Sequence, residues 1–383
     1  MLPIRFPRSL LISVLLLLWT TAALAAPIPV PAPPQINASS YVLMDFDSGR
    51  LLVANNPDLR VEPASITKVM TAYAAFRQLQ DGDLKLDEQV TISEKAWRAE
   101  GSRTFLRVGT QIDVETLIKG MIVQSGNDAS IALAEHIAGA EESFAGLMNQ
   151  YAQSLGMTNT HFTNATGLPD PNHYTTARDI AILAQAMIRD FPEQYAWYSI
   201  RSFLFNGIEQ SNRNRLLWRD ASVDGLKTGH TSSAGYCLVS SAKRDQMRLI
   251  SVVMGTPSDN ARMNDSQALL NYGFRFYSTH RLYPAGEAVT EAPVWMGKAN
   301  KVVLVLKKDL FITVPRGQYD GVQTQAEVQD RLVAPLPEDG PIGKLVVRFN
   351  DEPLTEDALY PQKAVERGSW FRRLWHWLLM WFQ

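Results

Sequence analysis

The chain has 383 residues, 46% hydrophobic and 20% charged, with 37 Lys and Arg against 39 Asp and Glu. That is the composition of a folded protein long enough for two domains, and the formal charge of -2 supplies no basic field, which excludes nucleic acid as an expected partner. The single cysteine, Cys237, excludes an intrachain disulfide, so a hydrophobic core must hold the fold.

At the N-terminus, Arg5 and Arg8 precede a short apolar run from Leu10 to Trp19, followed by Ala23-Leu24-Ala25. This is the pattern of a secretory signal with a small-residue cleavage site over residues 1–25. An uncleaved anchor is the alternative, although the run is shorter than the ~20 apolar residues of a membrane span. Either way the body is exported. Pro27 to Pro34 reads as an extended leader. Tyr41 to Phe46 and Leu51 to Ala54 read as strands around an Asp47-Ser48-Gly49 turn. Helical patterns cover Ser65 to Leu79, Val114 to Val123, Ala129 to Ala138 and Thr175 to Ile188, the last capped by Thr175 or Thr176. Gly225 to Thr228, Tyr236 to Ala242 and Leu249 to Met254 are strand-like, and a helix follows from Asn264 to Phe276. Cys237 sits inside one of these apolar runs, as a buried packing residue would. Strands at both ends, with helices between and after them, predict an α/β (α+β) layered domain with an antiparallel hairpin near Lys243 to Met247.

After Pro284 the chain changes character. Val302 to Leu306, Phe311 to Val314, Gln325 to Val328 and Leu345 to Asn350 are strand-like and separated by turn signals. They predict a small all-β module, a spacer or docking piece with no catalytic constellation. The last fourteen residues hold Trp370, Trp375, Trp377 and Trp381. On a helical wheel Arg372, His376 and Gln383 share one arc and the tryptophans lie opposite. Trp370 to Phe382 spans only ~20 Å as a helix, short of the ~30 Å hydrocarbon core. The tail is therefore expected to lie in a membrane interface, with Lys363, Arg367, Arg372 and Arg373 near anionic headgroups. A helix docked on the protein itself is the alternative.

Three short strings carry chemistry: Ser65-Ile-Thr-Lys68, Ser125-Gly-Asn127 and Lys227-Thr-Gly229. Each alone is weak. Roughly one Ser-x-x-Lys is expected by chance in a chain this long, Ser240 and Lys243 repeat the spacing, and a Ser-Asp-Asn decoy stands at Ser258 to Asn260. The ordered triple is the signature of an activated serine that attacks an amide. Residues three apart share a helix face, so Ser65 and Lys68 can meet. A lysine takes a hydroxyl proton only when neutral, and burial plus a neighbouring positive charge, here Lys227, would lower its pKa. Ser125 can pass a proton to a leaving amine, and Asn127 can hold a carbonyl and orient Lys68. The Lys227 strand looks like a sheet edge that an extended peptide could join, with Gly229 leaving room for the substrate backbone and Lys227 and Thr228 near its carboxylate. Each string also has a plain structural reading: a capping serine with a solvated lysine, a helix cap, an ordinary strand.

The flanks extend the match. Glu62-Pro-Ala-Ser-Ile-Thr-Lys-Val-Met-Thr71, Gln124-Ser-Gly-Asn-Asp-Ala129 and Val223-Asp-Gly-Leu-Lys-Thr-Gly-His-Thr231 resemble the serine-type D-alanyl-D-alanine carboxypeptidases, the low-molecular-mass penicillin-binding proteins. Gln210 to Trp218 and Tyr174 to Asp179 are similar to further stretches of that family. The resemblance implies a penicillin-binding transpeptidase-like fold, with a central antiparallel sheet between helical layers. It implies a penicillin-binding serine peptidase domain over residues 26–284, an all-β domain over 285–362 and an amphipathic membrane-anchoring helix over 363–383. It implies removal of the terminal D-alanine from peptidoglycan pentapeptide stems without metal or cofactor, with β-lactam antibiotics as covalent inhibitors. Ser65 would be the acylated nucleophile, Lys68 its base and Ser125 a proton relay. Asn127, Lys227, Thr228 and Gly229 would bind substrate, the N–H groups of Ser65 and His230 would form an oxyanion hole, and Arg262 would help bind the substrate carboxylate. Arg213 lies in a family-like stretch and would only brace the site. The implied location is the outer face of the bacterial cytoplasmic membrane. Rival readings are a D,D-endopeptidase on cross-links, a β-lactamase and a catalytically silent wall-binding protein. Against the β-lactamase, Gly126 stands where class A enzymes carry Asp, and no Glu-x-x-x-Asn string occurs from Asn159 to Asn172.

Overall fold

The structure, a computed structural model, describes residues 30–379 and residue 381. The secretory signal read at residues 1–25, and Met380, Phe382 and Gln383 of the tail, lie outside the described residues.

Apolar strands that read as fully buried stack into one five-stranded antiparallel sheet. Its order is Leu51–Asn55, Ser40–Asp45, Met247–Thr256, Gly235–Arg244, Val223–Thr231. Both sheet faces are covered, which explains why these strands lack polar alternation. The helix Asp259–Phe276 packs on one face through Leu269 and Leu270, and Gly273 lets it approach Leu43 and Leu249. The other face carries Thr67–Asp81 and Ala177–Asp190, whose Met70, Tyr73, Leu183 and Met187 join Val42, Val239 and Val252 in the main core. Thr176 caps the latter helix, accepting from the Asp179 N–H. The first long helix ends at Gly82 in the left-handed conformation.

Several elements left little trace in the sequence. The helix Glu141–Ser154 starts at Ala140, which has no side chain to cap it. The final helix of the sheet domain begins at Asp259, ahead of the expected Asn264, because the Ser258-Asp-Asn string is its cap: Ser258 Oγ accepts from the Ala261 N–H at 3.1 Å. The strand Tyr277–Tyr283 runs straight out of that helix with no turn residue, and pairs with Leu310–Pro315. Strands of the C-terminal part thus begin at Tyr277, before the boundary expected after Pro284.

The C-terminal part is all-β. A six-stranded sheet runs Val322–Val328, Gly343–Phe349, Glu352–Pro361, Lys301–Val305, Ala288–Trp295, Leu332–Val333. Leu304, Ile312, Val314, Val347 and Leu359 form its own core. Polar side chains stitch it to the sheet domain: Thr279 Oγ1 donates to the buried Asp45 carboxylate at 2.5 Å, and the Ser48 and Thr313 hydroxyls meet at 2.6 Å.

The tail helix Trp370–Leu379 turns its polar arc inward. Arg372 Nη1 donates to the Lys298 carbonyl at 3.0 Å, and His376 Nδ1 accepts from the Met296 N–H at 2.8 Å beside the Trp295 ring. The apolar face points outward, with Trp375 62% and Trp381 75% exposed. An ordinary surface helix does the opposite. The polar arc docks on the protein, as in the alternative reading of the tail, and leaves the tryptophans exposed. Among the described residues no helix is long and apolar enough to cross a membrane.

Candidate active site

Ser65 sits in a one-turn 3-10 segment, Ala64–Ile66, that feeds the helix Thr67–Asp81. Ala64 is held at φ 48°, in the left-handed region. Gly167 packs against it so tightly that a Cβ there would lie 1.8 Å from the Ala64 carbonyl oxygen. The loop carrying Gly167 is tied to the helix at three points. Thr71 Oγ1 donates to Ala165 O at 2.7 Å, Lys68 Nζ donates to Thr166 O at 2.6 Å, and Thr67 Oγ1 meets His173 Nε2 at 2.8 Å. His173 Nδ1 accepts from the Thr163 N–H, so Nε2 carries the ring proton; burial holds the imidazole down to about 4, neutral and structural.

Lys68 is 1% exposed and meets three oxygens: Ser65 Oγ at 3.1 Å, Asn127 Oδ1 at 2.7 Å and Thr166 O at 2.6 Å. Burial lowers its pKa to about 7; Asp128 and Glu141 oppose that shift and Arg213 adds to it. A neutral amine has two N–H groups and one lone pair. The amide and backbone carbonyls can only accept, so they take the two N–H groups and leave the lone pair for the Ser65 hydroxyl.

Ser125 also has a positive φ, 67°, and stands on the loop between the helices Val114–Val123 and Asn127–Ala138. Its Oγ accepts from Lys227 Nζ at 2.9 Å. Gly126 has no room for a side chain, since a Cβ would lie 2.1 Å from Thr104 Oγ1. Asp128 explains that crowding: its two carboxylate oxygens accept the Thr104 and Leu106 N–H groups at 2.8 and 3.1 Å and fold residues 102–106 over the motif. Asn127 Nδ2 donates to Glu100 O, which fixes its carbonyl toward Lys68.

Lys227, Thr228 and Gly229 lie on Val223–Thr231, an edge of the sheet as expected. Lys227 is 2% exposed and its pKa is lowered well below the ordinary lysine value, by burial first and Lys68 next. Burial is the first cause of both depressions, and the repulsion between the two amines acts on the pair. Gly229 serves a different neighbour from the one anticipated: a Cβ would lie 2.9 Å from Pro63 O and 3.2 Å from Ala64 Cβ, so it lets the strand close on the Ser65 turn. Arg262 is buried and committed. Its Nη1 donates to Gly229 O at 2.9 Å and Cys237 O at 3.3 Å, and it pairs with Asp259. Cys237 is buried, and burial pushes its thiol up to about 11.

These elements enclose a cleft of about 720 Å³ lined by Ser65, Ser125, Thr228, Gly229, His230 and Arg262. Lys68, Asn127 and Lys227 are buried, with Lys68 held to Ser65 and Asn127 and Lys227 to Ser125. Arg213 reaches the cleft too and has no ion-pair partner at contact distance among the described residues. Ser102, Phe105 and the backbone carbonyl of Thr166 were not legible beforehand; a carbonyl oxygen leaves no mark in a residue pattern. Among the described residues no group of three or more His, Cys, Asp or Glu is placed to hold a metal.

With this geometry in view, comparison with known proteins is decisive. Residues 28–258 match the model of the D-alanyl-D-alanine carboxypeptidase family. The chain belongs to that family. Residues 277–367 match the C-terminal domain of penicillin-binding protein 5. The D-alanyl-D-alanine carboxypeptidase DacA of Haemophilus influenzae is 46% identical over 354 residues, covering 91% of this chain and 90% of that one. The crystal structure of penicillin binding protein 5 from Haemophilus influenzae superposes with a TM-score of 0.85 at 45% identity, over 88% of this chain and all of that one. Penicillin-Binding Protein D2 from Listeria monocytogenes, in its ampicillin-bound form, gives a TM-score of 0.59 at 28% identity over 64% of this chain and 100% of that one. The family carries the penicillin-binding, mixed α/β fold with an all-β C-terminal domain.

Proposed function

We propose that this serine-type D-alanyl-D-alanine carboxypeptidase trims the terminal D-alanine from peptidoglycan pentapeptide stems, with Ser65 as nucleophile and Lys68 as its base. The observation that carries the assignment is the set of Lys68 contacts: Asn127 Oδ1 and Thr166 O accept two of its N–H groups, and Nζ lies 3.1 Å from Ser65 Oγ, where the neutral amine can take the hydroxyl proton. Ser65 Oγ attacks the carbonyl of the D-Ala–D-Ala amide as its proton passes to Lys68. The N–H groups of Ser65 and His230 receive the oxyanion. Ser125, bridging toward Lys227, hands a proton to the departing amine and is made good by the one Lys68 took, the C–N bond breaks, and D-alanine leaves with Lys68 neutral again. Water then cleaves the ester and restores Ser65.

The terminal carboxylate of the stem is met by Thr228, Lys227 and Arg213, which has no ion-pair partner at contact distance among the described residues. Arg262 acts from behind, bracing the strand through Gly229 O and adding positive field. Penicillins acylate the same Ser65. The loop beside it lines the site with Thr166, Gly167 and Leu168, none of them a carboxylate that could activate a water, which supports a long-lived adduct over β-lactamase turnover. We further propose that the protein is exported and rests on the outer face of the cytoplasmic membrane through the outward tryptophans of the tail.

The test is direct. Purified protein should release D-alanine from a pentapeptide faster than it cleaves cross-links or turns over penicillin, and a fluorescent penicillin should label it. Labelling that survives Ser65→Ala would overturn the nucleophile. A folded wild type that neither labels nor releases D-alanine would overturn the activity.

A further inference from the structure

A second cleft, of about 740 Å³, lies where the sheet domain meets the all-β part. It matches the active cleft in size and is distinct from it. Tyr236 lines the active cleft and Lys243 lines this one, on the same strand, Gly235–Arg244. Seven residues of strand separate them by roughly 23 Å.

The walls come from both sides of the junction. Phe46 and Asp47 stand on the first turn of the sheet domain, and Lys243, Gln246 and Arg248 on or beside the hairpin between its last two strands. Thr279, His280, Arg281, Phe311 and Tyr319 come from the all-β part. The Asp45–Thr279 and Ser48–Thr313 hydrogen bonds hold the two sides together, so the cleft is preformed. His280 and Tyr319 stack with ring centroids 4.5 Å apart.

The charges are unevenly satisfied. Arg248 is clamped by Asp224 at 2.7 Å, and Arg281 pairs with Asp309 at 3.2 Å. Among the described residues Lys243 has no ion-pair partner at contact distance, and neither has the half-buried Asp47 carboxylate. Lys243, the two paired arginines and the Asp47 carboxylate therefore border an aromatic wall, with the amide of Gln246 and the hydroxyl of Thr279 beside them. This set suits a ligand with a carboxylate for Lys243, an ammonium for Asp47, further carboxylate oxygens for the remaining N–H groups of the arginines, and an aliphatic stretch to lie on Phe46, Phe311 and Tyr319.

We propose that this junction cleft is a second binding site for carboxylate-rich wall peptides, taking the trimmed stem while the catalytic cleft works on another. The choice of ligand rests on the peptidoglycan reading above; the cleft itself does not. A second peptide held about that far away would keep the enzyme on its polymer between turnovers, as any second point of attachment does.

The test uses the full chain with Ser65 acylated by penicillin, so that the catalytic cleft is blocked. Calorimetric titration with the tetrapeptide left after trimming should still show binding. Lys243→Glu should weaken that binding by at least about tenfold, since it replaces a charge-assisted contact with repulsion. Lys243 is exposed, so the variant should fold; Tyr319→Ala is a second variant on the opposite wall and should weaken binding as well. D-alanine release from a short soluble pentapeptide should be unchanged in both, which keeps this test separate from the catalytic one. Absence of binding to the acylated wild type overturns the proposal. So does binding that neither variant alters, or binding of a peptide-free disaccharide in place of the peptide.

Discussion

The catalytic cleft and the tail break the usual arrangement of polarity in opposite directions. At the cleft two lysines are taken out of water; at the tail four tryptophans are left in it. Burying an amine costs several kcal/mol unless it loses its charge or finds partners. Lys68 and Lys227 do both, depressed in pKa and held by serine, asparagine and backbone oxygens. The tail spends its polar groups on the domain, through Arg372 and His376, and leaves the apolar ones unmatched. An inversion that is fully satisfied inside the chain prepares chemistry. One that is unsatisfied prepares a contact with something outside it.

The comparison can be broken most sharply at the cleft. Lys68→Ala should reduce the rate of penicillin acylation by roughly 10³-fold, the scale of a lost general base; near-normal acylation would require another base. At the tail, deleting residues 364–383 should move the protein from sedimenting with anionic vesicles to the supernatant, with D-alanine release from a soluble peptide largely intact. A truncated protein that still sediments would end the anchoring proposal.

Gly167→Ala should cost about 2–4 kcal/mol, combining a strained positive φ with overlap against Ala64 O. Denaturant unfolding measures it, and acylation should fall with it because the Ser65 turn is what moves. The pH dependence is gentler. Lys68 acts as a base only when neutral, so acylation should rise with pH through about 7. Arg213 lowers that value, so Arg213→Gln should move the rising limb to higher pH, read from penicillin acylation rates. Smallest of all, a maleimide should leave native Cys237 unlabelled, since its thiol is buried and pushed up to about 11.

The same contrast explains what was legible in advance. Ser65, Lys68, Ser125, Asn127 and Lys227 announced themselves because side-chain chemistry demands those residue types in that order. The buried strands were visible as apolar runs. Gly126 and Gly167 were opaque, because the atoms that forbid a Cβ there, on Thr104 and Ala64, are distant in sequence or belong to backbone. The partners of Arg262 were opaque for a similar reason: they are the carbonyls of Gly229 and Cys237, which no residue pattern displays. In the all-β part, Glu352–Pro361 is half-exposed and carries two prolines and three acids, so neither alternation nor an apolar run marks it.

The hydrogen bonds that Thr279 donates to Asp45 and that Ser48 and Thr313 share have one more consequence. They leave little slack between the part that carries the tail and the part that carries the serine. On the membrane attachment proposed above, a catalyst mounted on so stiff a post would patrol a layer of fixed altitude, and strands passing above or below that layer would escape it.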